Sequence, residues 1–163
     1  MVSKGLRAMN EHEKFLLGNI NNYDLITIFV TGAPRIQNFV ATVEHIYSCC
    51  HGITAAHLGL NIEFVGGTTA WGNSPLEIGQ RAFLFIRDLD GVFYECHWRG
   101  HMVIELMGTE RYAVLQFPNL WLREDLPLEV RSKAEPHPTE KNMSIVPFTV
   151  METYLKSLIQ ETE

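Results

Sequence analysis

This chain of 163 residues is poor in several things, and each scarcity excludes something. It has three cysteines, Cys49, Cys50 and Cys96, too few and odd in number for a disulfide framework. No apolar run approaches the roughly 20 residues needed to span a bilayer, so no membrane partner is expected. "MVSKGLRAMNEHEKF" has no apolar stretch after its basic residues, so no secretory signal is visible. Reduced thiols and a cytoplasmic location are therefore the expectation. Basic runs are also missing. Thirteen Lys and Arg stand against 19 Asp and Glu, interspersed, for a formal net charge of −6. A nucleic-acid binder needs a basic face to displace counterions, so nucleic acid is not an expected partner. There is no G-x-S-x-G, P-loop, dinucleotide fingerprint or H-E-x-x-H, and nothing in the sequence calls for a cofactor.

What is present describes a globular chain. Apolar residues make up 46% and charged residues 20%. The length fits a single domain, residues 1–163, that removes roughly 70% of the unfolded chain's surface from water. Within it we expect an N-terminal arm and short helix (1–18), a β-rich core (24–117), a long loop (118–146) and a C-terminal helix (147–160). In the first helix Asn10 serves as N-cap with Glu13 three residues on, Phe15, Leu16 and Leu17 supply apolar contacts, and Gly18 with the asparagines to Asn22 ends it. "DLITIFVT" (24–31) is β-branched and apolar on both faces, the pattern of a fully buried strand.

Residues 38–48, "NFVATVEHIYS", fit both a helix and a strand. Val40, Thr42, Val43 and Ile46 are stiff at χ1 and favour the strand, which puts Phe39, Ala41 and Val43 on one face. "LNIEFVGG" alternates and stops at Gly66-Gly67. In "RAFLFIRDLDGVFYECHWRGHMVIEL" (81–106), Ala82, Leu84 and Ile86 point one way and Phe83 and Phe85 the other. Asp88-Leu89-Asp90-Gly91 supplies a turn, with Gly91 at φ > 0. A further turn or bulge at Arg99-Gly100 and another at Gly108 predict a β-meander running to residue 117. "PFTVMETYLKSLIQ" carries Val150, Met151, Tyr154, Leu155, Leu158 and Ile159 at helical spacing, with Pro147 suited to the first helical position. The prediction is an α+β fold: a strongly bent antiparallel sheet or partial OB-like barrel with a C-terminal packing helix.

Three stretches, "VATVEHIYSCCHG", "LNIEFVGG" and "LEIGQRAFLFIRDLDGVFYECHWRGHMVIE", followed by the closing "VPFTVMETYLKSLI", resemble a group of small bacterial OB-like β-barrel domains. The resemblance covers roughly residues 38 to 160. It implies a fold and no agreed activity.

Candidate chemistry is sparse. "CCH" at 49–51 with His57 offers soft metal ligands, but structural zinc sites usually take cysteines from C-x-x-C knuckles, and small buried side chains near a turn are the plainer reading. In "ECHWRGH", Cys96 and His97 are strand neighbours on opposite faces and cannot form a dyad. Glu95 and His97 share a face and, with His101, could bind a metal or exchange a proton. Polar residues on the wet side of an antiparallel sheet give the same pattern. Asp88 to Gly91 lacks the later ligands of a calcium loop. Trp71 and Trp121 fall in predicted loops, where an aromatic anchors an interface or covers a barrel end. The loop "NLWLREDLPLE" places Trp121 beside Glu124, Asp125 and Glu129, and these four are the expected partner-binding residues.

An acidic chain without catalytic motifs fits a non-enzymatic binding protein. The concrete version is an immunity or inhibitor protein that masks a basic partner such as a toxic nuclease. A small enzyme or metal protein using Glu95 and His97, and a small-ligand carrier with a sheet–helix pocket, are the alternatives. Mass spectrometry of unreduced protein is expected to find all three thiols free. A mass lower by the two hydrogens of one bridge would contradict this.

Overall fold

The computed structural model describes residues 11–33, 37–66, 75–96, 100–116 and 126–162. The elements run α1 (Glu11–Asn22), β1 (Asp24–Gly32), β2 (Asn38–Ile46), β3 (Asn61–Val65), β4 (Arg81–Leu89), β5 (Val92–Glu95), β6 (His101–Met107), β7 (Glu110–Gln116), α2 (Leu128–Arg131), β8 (Glu135–Pro136), β9 (Met143–Pro147) and α3 (Phe148–Thr162). A short 3-10 turn, Ala55–His57, lies between β2 and β3.

The strands form one sheet in the order β1-β2-β3-β5-β4-β6-β7-β9-β8, and β1 also pairs with β4. That extra pairing closes the first five strands into an OB-like barrel. Residues 38–46 are strand, as their β-branched content favours. The barrel is mixed, not purely antiparallel, because β5 lies parallel to β3 with Phe64 opposite Phe93. Five strands cannot close a ring in strict alternation, and the tight turn that sets β5 antiparallel to β4 leaves the parallel pair between β3 and β5. Asp90 and Gly91 both take positive φ, at 55° and 85°, as a two-residue hairpin of the primed type requires. The Asp88 carboxylate accepts the Gly91 N–H at 2.7 Å.

Side-chain alternation along β1 and β4 divides the interior into two cores. Ile26, Ile28, Val30, Ala82, Leu84 and Ile86 fill the barrel together with Phe39, Phe64 and Phe93. Leu25, Phe83 and Phe85 face outward and are covered by Leu16 and Ile20 of α1 and by Met151, Leu155, Leu158 and Ile159 of α3. β1 is thus apolar on both faces because both are buried. The ring of Phe83 stacks on Phe148 at 5.4 Å. At the end of β2 the Tyr47 hydroxyl donates to Glu152 of α3 at 2.5 Å. Burial, and then this bond to a carboxylate, push the Tyr47 phenol well above its ordinary pKa, so it stays protonated and remains a donor.

Four expectations are corrected. Gly18 does not end α1, which continues to Asn22 because Leu16 and Ile20, one turn apart, both bury against the second core. The strands from 81 to 116 are not a simple meander. β5 and β6 follow one another along the same edge of β4, opposite Leu89 to Ile86 and then Leu84 to Arg81. The expected long loop at 118–146, within which "LPLEVRS" can form a short element, carries that element as α2 but also β8 and most of β9 in its described part. β9 pairs with β7, burying Ile145 and Val146, and a run of only a few residues gives little period to read. Pro147 closes β9, and α3 begins at Phe148.

Leu155 is 1% exposed in the helix–sheet core. Replacing it with Asp is expected to cost several kcal/mol, because an unpaired carboxylate enters an apolar layer. Thermal and denaturant unfolding measure this, and an unchanged melting temperature would show that α3 is not docked as described.

Candidate functional site

The polar residues of "ECHWRGH" meet at the junction of β5 and β6. Opposite Phe85 the ladder passes directly from Cys96 to Gly100: Cys96 N–H donates to the Phe85 carbonyl at 3.0 Å, and Phe85 N–H donates to the Gly100 carbonyl at 2.8 Å. Glu95 pairs with Ile86 and His101 with Leu84, so both project from the barrel-facing side of β4. The two meet across the break, with His101 Nδ1 at 2.5 Å from Glu95 Oε2. Both are buried. The expectation that Glu95 lies on the wet face of the sheet is therefore corrected. His97, the partner expected from strand parity, lies outside the described residues. Parity pointed to residue 97 because it assumes an unbroken strand.

Two glycines make room for this pair. A Cβ on Gly100 would lie 2.3 Å from the Cys96 carbonyl oxygen and 2.6 Å from Glu95 Cγ. A Cβ on Gly66 would lie 2.7 Å from the Gln37 carbonyl oxygen, with Glu95 Oε1 at 3.7 Å. Cys96 turns to the other side of the sheet, into the helix-covered core, where its thiol donates to Asn19 Oδ1 at 3.6 Å. It forms no nucleophile–base pair with His101.

A second polar centre was missed at the sequence level. Asp24, at the head of β1, has no exposed surface. Its carboxylate accepts N–H bonds from Cys50 at 2.7 Å, from His51 at 2.9 Å and from Ile53 at 3.0 Å. These donors wrap the segment after β2 around one carboxylate and set Ile53 into the barrel. His51 Nδ1 lies 3.4 Å from Asp24 Oδ1, within ion-pair reach but not aligned as a hydrogen bond. The signal available in the sequence was an aspartate opening a strand with no other polar residue before Thr27. Cys49 and Cys50 are exposed, not buried as the plainer reading had it. Among the described residues no group of three His, Cys, Asp or Glu side chains is placed to hold a metal ion. His57 instead caps its own turn, accepting the Thr54 N–H at 2.9 Å, and packs edge-on against Phe93.

Of the four expected partner-binding residues, Trp121, Glu124 and Asp125 lie outside the described residues, as does Trp71. Glu129 is exposed on α2. It lines a groove of about 470 Å³ between α2 and α3, with Val130, Thr149, Val150, Thr153 and Tyr154. Beside it Leu128 is 66% exposed.

Comparison of the chain with protein-family models, with curated proteins and with solved structures gives no match. Among the described residues no helix is long and apolar enough to cross a membrane.

Gly100→Ala is expected to destabilise the fold by about 1–3 kcal/mol or more, since the new methyl meets backbone at the strand break. Denaturant titration of the variant measures this, and a stability equal to that of the parent would show that the Glu95–His101 junction is loosely packed.

Proposed function

We propose that this chain is a non-enzymatic binding protein that masks a basic protein partner, in the manner of an immunity protein against a toxic nuclease. The observation that carries the reading is the α2–α3 groove, which Glu129 lines, with the neighbouring Leu128 exposed on α2. A large apolar side chain held in water beside an acid suits an interface in which an apolar anchor enters a pocket while carboxylates meet cations. Residues 121–125, immediately before α2, add an aromatic and two more acids in the sequence. The net charge of −6 favours approach to a basic surface. The most buried acids are engaged within the fold, Asp24 by backbone N–H groups and Glu95 by His101, which is consistent with a role in stability.

The test is a titration against a basic protein partner captured on the immobilised chain. Leu128→Ala/Glu129→Lys and Trp121→Ala are compared with the parent after circular dichroism shows each to be folded. Loss of a central anchor is expected to weaken binding about tenfold or more, and added salt to slow association. Affinity unchanged in both variants would remove this surface as the interface.

A further inference from the structure

A second concavity lies away from the α2–α3 groove, on the outer face of the barrel where β3, β5 and β4 run side by side. Val65 pairs with Tyr94 and Tyr94 with Arg87, so the three side chains form one row across three strands. Tyr23, just before β1, extends the row beyond Arg87, with the guanidinium 5.3 Å from its ring centroid. Leu89 and Gln37 complete the rim, and Glu95 closes one end of a space of about 340 Å³.

The one cation of this lining, Arg87, is half-buried and has no ion-pair partner among the described residues. Its contact with the Tyr23 ring holds it in place without neutralising it. Arg81, six residues earlier on the same face of β4, is by contrast satisfied by Glu44 at 2.9 Å. The walls are aromatic and aliphatic: Tyr94 is 37% and Leu89 45% exposed. Burial, and then the nearby Cys96, raise the Tyr23 phenol above its ordinary pKa, so its hydroxyl remains protonated.

We propose that this pocket binds a small planar monoanion, an aromatic or conjugated carboxylate, with the carboxylate on Arg87 and the ring against Tyr94 and Val65. A guanidinium offers two parallel donors to a carboxylate, and the flat row across the strands offers a face for stacking. The volume sits at the small end of the range for organic ligands. The inference is independent of the α2–α3 interface and uses none of its residues.

Benzoate, benzamidine and cyclohexanecarboxylate are titrated into the full chain, following backbone amide shifts by NMR. Benzoate is expected to shift the amides of Val65, Arg87 and Tyr94 saturably, with Kd on the order of 1 mM for so small a probe. Cyclohexanecarboxylate is expected to bind several-fold more weakly, and benzamidine not at all. Arg87→Gln should weaken benzoate about tenfold, and Arg87→Lys less, because a lysine keeps the charge and loses the bidentate geometry. Arg87 is half-buried and outside both cores, and the same spectra report whether each variant is folded. No saturable shift up to about 20 mM benzoate, equal binding by Arg87→Gln, or a preference for benzamidine would each overturn the proposal.

Discussion

The Asp24 carboxylate is the fixed point of this fold. It sits at the first residue of β1, the strand whose pairing with both β2 and β4 closes the barrel, and it gathers the N–H groups of Cys50, His51 and Ile53. A buried charge is costly unless it is hydrogen-bonded, and here backbone donors fixed by the chain path supply the bonds. The same segment reaches β4, since Asp88 N–H donates to the His51 carbonyl at 2.9 Å. Gly52 approaches so closely that a Cβ there would lie 2.3 Å from the Asp88 Cβ. The segment held by this one carboxylate thereby ties the start of β1, the chain leaving β2 and the far end of β4 together. Barrel closure depends on those three segments staying in register.

From that closed barrel the rest of the sheet grows by a single device, the break between β5 and β6. β5 belongs to the barrel, where it lies between β3 and β4. β6 leaves along the same edge of β4 and carries β7, β9 and β8 away from it. The Glu95–His101 pair spans the point of departure. The pairing couples the barrel core to the helix-covered core, because residues adjacent to it in the chain, Cys96 and Met102, point into the second. β4 serves both layers through its alternation, giving Leu84 to one and Phe83 and Phe85 to the other.

The parts of this architecture visible in the sequence are those governed by local period. The alternation of residues 82–86, the two-faced apolarity of β1, the turn at Asp90-Gly91 and the stripe of α3 all express one element burying one or two faces. Residues 38–46 fit two periods, and stiffness at χ1 pointed to the strand. What was not legible depends on partners distant in the chain. Asp24 reads as a strand-opening polar residue until the segment 26 positions later folds over it. Glu95 and His101 are six residues apart, and their meeting requires a ladder that skips from Cys96 to Gly100. β9 is five residues with no period of its own, specified by pairing with β7. Arg87 gives no local sign that, unlike Arg81, it will lack a carboxylate.

The last strand of the sheet has a consequence for the behaviour of the molecule in a crowded solution. Five strands wrapped into a barrel expose no lateral edge between them, so the exposed lateral edge of the described sheet is at the β8 end. β8 is two residues long, and one of them is Pro136, which has no N–H to offer an incoming strand. His137 follows at once and turns the chain aside, its Nδ1 accepting the N–H groups of Thr139 and Glu140 while Nε2 meets Glu105. A sheet of nine strands is a large template for edge-to-edge polymerisation. Here the end of the described sheet is short, prolyl and bent away, features that disfavour growth into fibres by strand addition.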